Sequence, residues 1–372
     1  MRIALVCPYS LSAPGGVQNH VLSLATHLTM AGNTVLVMAP LDGDSPSVDG
    51  VEVVGVGRSL PFPANKSVSR LALSPAVPLR LRRFFSHFKP EVVHVHEPLQ
   101  AGVSLYTLLL RERPPLVATF HAAAERMPFY DWFRPAFARL LRRIQIKAAV
   151  SPPARELLRR HFGDEVAEKI RILPNGIEVA KFAGLSKPPS SRPEIVLFVG
   201  RLEMRKGCDI LLDSWPMVID SHPSARLVVV GDGPLRATLE AKAARIRGVE
   251  MKGRLDDDEL LRAYGSARVV CVPSVASESF GIVLLEGMAS GACVAAAELD
   301  GYRWVGGDAV AYFPAGDSRA VAETICDLLA TPMRMDELAR RGRSRAARFD
   351  WERLVPDVMA TYKEAAGSGQ DA

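Results

Sequence analysis

Short β-branched runs alternate with amphipathic stretches along the chain, and this alternation constrains the fold more than any other feature. Residues 2–7, 34–39, 51–56, 91–96, 116–120 and 147–151 read as strands separated by segments of helical period. After the first strand, Val17, Val21, Leu24 and Leu28 share one helical face, and Gly32-Asn33 closes the helix before the next strand. The alternation restarts at 195–199, 226–231, 249–252, 268–272, 293–297 and 310–313. Between the two series, Ser186-Lys-Pro-Pro-Ser-Ser-Arg-Pro193 breaks every period, because proline removes an amide donor and fixes φ while serine favours turns. The expected class is α/β, with two Rossmann-like, doubly wound domains over 1–185 and 194–350 joined by a linker at 186–193. A further helix over 351–366 is expected to return to the first domain, and a polar, frayed end follows at 367–372. Such sheets bind ligands at the carboxyl ends of their strands, which places the expected site in a cleft between the domains.

Charge and composition narrow the function. Residues 1–185 carry 22 Lys and Arg against 14 Asp and Glu, a net of +8, whereas residues 186–372 carry 24 against 27, a net of −3. The basic half has no basic run, zinc finger or RNA-binding signature, so nucleic acid is not an expected partner. Cys7, Cys208, Cys271, Cys293 and Cys326 are scattered without C-x-x-C spacing, which supports neither a disulfide framework nor a thiolate metal site and fits a reducing compartment. Only five apolar residues, Ile3 to Cys7, precede Pro8, too few for a signal peptide. No stretch approaches the ~20 apolar residues that span a bilayer. A cytoplasmic protein, soluble or peripheral, is expected.

Three motifs carry chemistry. Glu278-Ser-Phe-Gly-Ile-Val-Leu-Leu-Glu286 places two carboxylates eight positions apart around a glycine, the second inside a helix that Ile282 begins. Free amide groups at that helix start suit oxygen ligands, Glu278 suits sugar hydroxyls and Glu286 a ribose diol; a capping acid followed by a solvated glutamate has the same pattern. Gly200-Arg201-Leu-Glu-Met-Arg-Lys206-Gly207 follows a strand directly, where Arg201 and Lys206 could grip a diphosphate and neutralise it as it departs, or form a solvated basic turn. Pro14-Gly15-Gly16-Val17 lets a ligand approach backbone at the mouth of the first helix, and the missing GxGxxG argues against a dinucleotide oxidoreductase.

His121 follows the fifth strand at the ligand-binding edge. His94 and His96 share a face of the fourth and mimic a metal pair, but no third ligand of suitable spacing is evident, so satisfied histidines are the better reading. Asp256-Asp-Asp258 precedes Glu-Leu-Leu and reads as a helix cap. No required metal or cofactor is expected.

Taken together, these residues resemble the retaining glycosyltransferases of family 4, which have the two-domain architecture called GT-B. The hallmarks, in the family's order, are Pro14-Gly15-Gly16, Leu173-Pro-Asn-Gly-Ile177, Gly200-Arg201 with Lys206-Gly207, Gly231-Asp-Gly-Pro234 and Glu278 to Glu286. The resemblance implies that Arg201 and Lys206 hold the donor diphosphate and that Gly16 approaches it. It implies that Glu278 and the Phe280-Gly281-Ile282 backbone hold the sugar, that Glu286 holds the ribose, and that His121 contacts the sugar near the reacting centre. The N-terminal half is most similar to bacterial phosphatidylinositol α-mannosyltransferases, through Cys7-Pro-Tyr-Ser10, Pro14 to Gln18 with His20-Val21, His96-Glu-Pro98 and Ala118-Thr-Phe-His121. That similarity implies GDP-mannose as donor and Tyr9, Gln18, Asn65 and Arg70 on the acceptor side. The chain departs from the subfamily pattern at Ala64 and Lys66, and the loop after Arg201 is one residue shorter.

Residues 79–89 form a basic amphipathic pattern, with Leu81, Phe84, Phe85 and Phe88 on one face and Arg80, Arg82, Arg83, His87 and Lys89 elsewhere. Phe84 and Phe88 could seat at a headgroup boundary with Arg80, Arg82 and Arg83 on anionic lipid, or the phenylalanines could pack on the core. The resulting expectation is a mannosyltransferase peripheral on the inner face of the membrane, acting on phosphatidylinositol. UDP-glucose or another nucleotide sugar passed to a different lipid, polyol or sugar phosphate is the alternative, and a nucleotide-sugar epimerase is a further one.

Overall fold

The structure, a computed structural model, describes every residue except 14, 65–66, 124–126, 183, 186, 277 and 369–372, and describes 62–64 and 67–69 by backbone alone. It divides into two compact units, Met1–Gly176 with Trp351–Ala372, and Ile177–Asp350.

The strands of the first unit are β1 (Arg2–Val6), β2 (Thr34–Pro40), β3 (Glu52–Gly57), β4 (Leu60–Ala64), β5 (Ser67–Leu71), β6 (Val92–His96), β7 (Leu116–Phe120), β8 (Ile146–Ala149) and β9 (Ile170–Ile172). Seven form a parallel sheet in the order β3-β2-β1-β6-β7-β8-β9, with Leu5 facing Val37 on one side and His94 on the other. The order reverses between β1 and β6, the position at which a doubly wound sheet opens for a ligand. Near-continuous apolar runs mark strands covered on both faces, and Ile3 to Val6 are fully buried. Helix Gly16–Met30 buries Val21, Leu24, Ala25 and Leu28 against Ile3, Leu5, Val35 and Val37.

The hairpin β4-β5 pairs Leu60 with Leu71 and Pro63 with Val68, in a segment between the expected strands at 51–56 and 91–96. Pro61 and Pro63 conceal it, because proline is confined to ribbons and edges, where its missing donor is not needed. Asn65 and Lys66 at its turn lie outside the described residues.

Helix Trp351–Gly367 packs in the first unit, with Trp351, Leu354, Val355, Val358, Tyr362 and Ala365 in the same core as β1 and β2. Gly176, from the Pro174-Asn-Gly run, lies flat on Trp351: a Cβ there would come within 2.3 Å of the indole. This close approach accounts for glycine at that point of the motif.

The second unit contains β10 (Ile195–Val199), β11 (Arg226–Val230), β12 (Val249–Gly253), β13 (Val269–Val272), β14 (Cys293–Ala297) and β15 (Val310–Phe313). They form a parallel sheet in the order β12-β11-β10-β13-β14-β15, reversing between β10 and β13. Trp215, Leu211, Leu212, Phe198, Leu227, Phe313 and Ile325 fill its core. Residues 177–193 belong to this unit, where the sequence had suggested a domain end and a linker. Ile177 N–H donates to Phe349 O at 2.8 Å, and Ser190 Oγ to Asp336 at 2.6 Å. The buried guanidinium of Arg192 donates to carbonyls of Lys187, Tyr264, Ala267 and Ser290. One buried arginine thus fastens a proline- and serine-rich segment whose composition reads as free. Asp256 and Glu259 form a capping box, with Glu259 N–H donating to Asp256 at 2.8 Å, in accord with the helix-cap reading.

Candidate active site

In the second unit, β10 delivers Arg201 and Lys206 at the point where the strand order reverses. The loop between them rests on the Gly231-Asp-Gly-Pro234 turn. Leu202 N–H donates to Asp232 O at 2.9 Å and Leu235 N–H to Leu202 O at 3.0 Å. Gly231 has φ of 140°, and a Cβ there would lie 1.8 Å from Gly200 O. That turn is therefore a shelf under the cationic loop, and only glycine lets the two backbones meet.

Glu278 follows β13 and meets this loop. Its Oε1 accepts Arg205 Nη1 at 2.7 Å and Lys206 Nζ at 2.6 Å. Arg205 Nε also donates to Glu203 Oε1 at 2.7 Å, and Arg201 Nη2 stands 3.7 Å from Glu203 Oε2. Three cations thus share two carboxylates, which leaves a net positive charge while fixing the geometry of each head. Arg201, 43% exposed, is the most open of them; Glu203 is buried. The structure brings Arg201, Lys206 and Glu278 together, and it adds Glu203 and Arg205. Their charge was visible in the sequence, but 72 residues separate Lys206 from Glu278.

Phe280 is buried against Trp304 and Phe349 and anchors the start of helix Ile282–Ala289. Gly281 has φ of 101° and abuts the Tyr302 ring, where a Cβ would come within 2.6 Å. Tyr302 OH and Ser274 Oγ are hydrogen-bonded at 2.8 Å. No side chain caps this helix, so its leading amide groups at Gly281 and Ile282 suit oxygen ligands. Two turns in, Glu286 accepts the Tyr264 hydroxyl at 2.6 Å. Burial pushes its carboxyl up to about 7 against the downward pull of that hydrogen bond. Tyr264 is a positioning residue without a signal in the sequence.

In the first unit, His121 lies just past β7, beside the end of β6. Its backbone N–H and that of Ala122 each donate to Glu97 Oε1 at 2.6 Å. Glu97 has φ of 46°, an uncommon conformation for a residue with a side chain, and burial pushes its carboxyl up to about 7 despite those two donors. The His94-x-His96 pair divides. His94 is satisfied by Tyr362 OH and Thr119 Oγ1, both at 2.7 Å, as expected of a core histidine. His96, its ring 4.2 Å from that of His94, has Nδ1 2.9 Å from His121 Nε2, and the His20 ring lies 5.1 Å from that of His121. Burial pulls the His20 and His94 imidazoles down to about 3 and those of His96 and His121 well below their ordinary value, so all four are neutral at neutral pH. His121 therefore carries no positive charge at neutral pH.

Gly16 opens its helix with nothing within 4 Å of where a Cβ would stand, which leaves room for a ligand. Gln18 braces the preceding loop by donating to Ser10 O and Ala13 O, and Tyr9, partly exposed, bridges to Leu71 of the hairpin. Arg70 is exposed, and its Nε donates to Ser59 Oγ at 3.0 Å and to Asp42 at 3.3 Å. Asp42, which no motif announced, also accepts from Ser10 and Ser59; desolvation opposes ionisation, but these hydrogen bonds and Arg70 bring its carboxyl down to about 2. Arg70 and Gln18 thus brace the loops beside the β4-β5 hairpin.

Helix Val77–Phe88 divides the expected apolar face. Leu81 and Phe85 are buried in the core, Phe84 and Phe88 are partly exposed, and Arg80, Arg82, Arg83 and Leu79 face solvent. Among the described residues no helix is long and apolar enough to cross a membrane.

Residues 14–181 match the family described as Glycosyltransferase Family 4, and residues 193–331 the family described as Glycosyl transferases group 1. The chain is 37% identical to the phosphatidyl-myo-inositol mannosyltransferase of Mycobacterium leprae, over 99% of this chain and 98% of that one. It is 33% identical to the protein of the same name from Propionibacterium freudenreichii, over 98% and 95%. A solved glycosyltransferase from Rickettsia africae aligns with a TM-score of 0.75 at 18% identity, over 98% of both chains. That likeness concerns the fold, and it agrees with the two Rossmann-like units expected from the alternation of strands and helices.

Proposed function

The chain belongs to glycosyltransferase family 4, and from that premise we propose that it transfers mannose from GDP-mannose to the inositol of phosphatidylinositol with retention of the α configuration. The observation that carries this reading is the group of three cations and two carboxylates where β10 and β13 part, together with 37% identity over nearly the whole chain to a phosphatidyl-myo-inositol mannosyltransferase. Arg201 and Lys206 hold the donor diphosphate, to which the family resemblance also assigns Gly16, and Glu286 takes the ribose diol. Glu278 and the backbone from Phe280 to Ile282 take the sugar hydroxyls. His121, neutral and held by Glu97, hydrogen-bonds the sugar near the reacting carbon. Tyr9, Gln18 and Arg70 line the acceptor side, to which the resemblance also assigns Asn65, outside the described residues.

The bond from the anomeric carbon to the diphosphate breaks, and the bond to the inositol oxygen forms on the same face. The hydroxyl proton passes to the departing diphosphate. Arg201 and Lys206 stabilise the charge that builds there, so no metal or cofactor is required. The enzyme acts as a peripheral protein on the inner membrane face, where Arg80, Arg82 and Arg83 meet anionic lipid and Phe84 and Phe88 the headgroup boundary.

Acceptor-dependent GDP release tests this reading, with GDP-mannose, phosphatidylinositol liposomes and UDP-glucose as control donor. Release that needs both GDP-mannose and the inositol lipid is expected. Silence with GDP-mannose and turnover with UDP-glucose would overturn donor and subfamily while leaving the family intact.

A further inference from the structure

Three histidines from separate elements converge in the first unit: His20 from helix Gly16–Met30, His96 at the end of β6, and His121 just past β7. One ring nitrogen from each lies within 4.8 Å of the other two. His20 Nδ1 and His96 Nε2 are shielded from solvent and have no hydrogen-bond partner among the described residues. Buried polar atoms are seldom left unpaired, and an imidazole nitrogen without a partner is a metal ligand in waiting. His94, beside them, has both nitrogens engaged and takes no part.

We propose that His20, His96 and His121 form a trihistidine site for a zinc-type divalent transition-metal ion, and that its occupation inhibits transfer by removing His121 from the sugar. Three imidazoles suit borderline metals over calcium or magnesium, which prefer oxygen. Tetrahedral coordination at about 2.0 Å leaves a fourth position for water or a ligand atom. His96 binds through its unpaired Nε2, and ligation by His121 Nε2 replaces that atom's 2.9 Å contact with His96 Nδ1. No bond is made or broken in any substrate, so the metal acts as a reversible block. The backbone donation from His121 and Ala122 to Glu97 holds the loop in place while the ring is ligated.

The binding claim stands apart from the assigned reaction; only the inhibition rests on that reading. The full chain is titrated with cobalt(II) as a spectroscopic probe. One equivalent showing the visible d–d absorption of a tetrahedral ion, displaced by zinc, is expected. His20→Phe, which keeps a ring beside Trp351, weakens cobalt binding by more than about tenfold, whereas His87→Ala, on a remote exposed histidine, leaves it unchanged. No tetrahedral absorption in the wild-type chain, or an absorption that survives His20→Phe, would overturn the site. If His20→Phe does not fold by circular dichroism, His20→Gln replaces it, and the wild-type titration still decides. Zinc is expected to inhibit transfer reversibly, with recovery on adding a chelator; bound zinc without inhibition refutes the block and keeps the site. A chain that binds cobalt but transfers no mannose refutes the assigned reaction alone.

Discussion

Lys206 Nζ and Glu278 Oε1 stand 2.6 Å apart, although 72 residues separate them in the chain. The cation assigned to the diphosphate is thus held by the carboxylate assigned to the sugar, and each orients the other before a donor arrives. Such coupled groups are not additive. In a cycle of Lys206→Ala, Glu278→Gln and the double variant, the effects on kcat/KM are expected to fall short of additivity by about 1 kcal/mol or more. Strict additivity in steady-state assays would show that the ion pair does not organise the site.

Arg201 is the most exposed cation of the group and shares Glu203 with Arg205. Its removal withdraws charge from the departing diphosphate. Arg201→Ala is expected to lower turnover by about a hundredfold, roughly 2.7 kcal/mol, with the fold intact by circular dichroism. Near wild-type turnover would refute that role.

Glu286 has a carboxyl raised by burial from an ordinary 4.5 to about 7. Between those values the folded chain holds a proton that the unfolded chain has released, so this group's contribution to stability declines as pH rises through the window. Glu286→Gln keeps an acceptor for the Tyr264 hydroxyl and removes the titration. The melting temperature of the variant relative to wild type is expected to rise from about pH 5 to about pH 8. A constant difference would show that the carboxyl is not shifted upward.

Trp351 is fully buried, with Gly176 pressed on its ring, and it begins the helix that returns to the first unit. Trp351→Ala is expected to cost about 3–5 kcal/mol in urea denaturation, through lost burial and the cavity left behind. A loss under about 1 kcal/mol would mean that the helix is not part of that core.

Arg80, Arg82 and Arg83 are exposed on a helix whose Leu81 and Phe85 are committed to the core. Any attraction to lipid then rests mainly on charge, with Leu79, Phe84 and Phe88 as apolar support. Replacing the three arginines by serine removes roughly 1 kcal/mol each at an anionic surface, so vesicle flotation at low salt is expected to fall by about a hundredfold. Undiminished flotation would exclude this helix as the membrane contact.

The sequence by itself determined the architecture and the principal charged groups. Strands and helices are encoded in local periodicity, so β1, β10 and their neighbours could be placed from apolar runs alone, and Arg201, Lys206, Glu278 and Glu286 stood out by type and spacing. Proline hid the β4-β5 hairpin, because its pairing depends on a partner strand and not on local propensity. Arg192 hid the attachment of residues 177–193, because the carbonyls it grips come from other elements. Only the tertiary structure decided that Glu278 clamps Lys206 and Arg205, that Tyr264 aims Glu286, that Glu97 holds His121, and that His20 closes on His96. Those contacts join residues too far apart for any periodic signal, and the packing of whole helices and strands sets their distances.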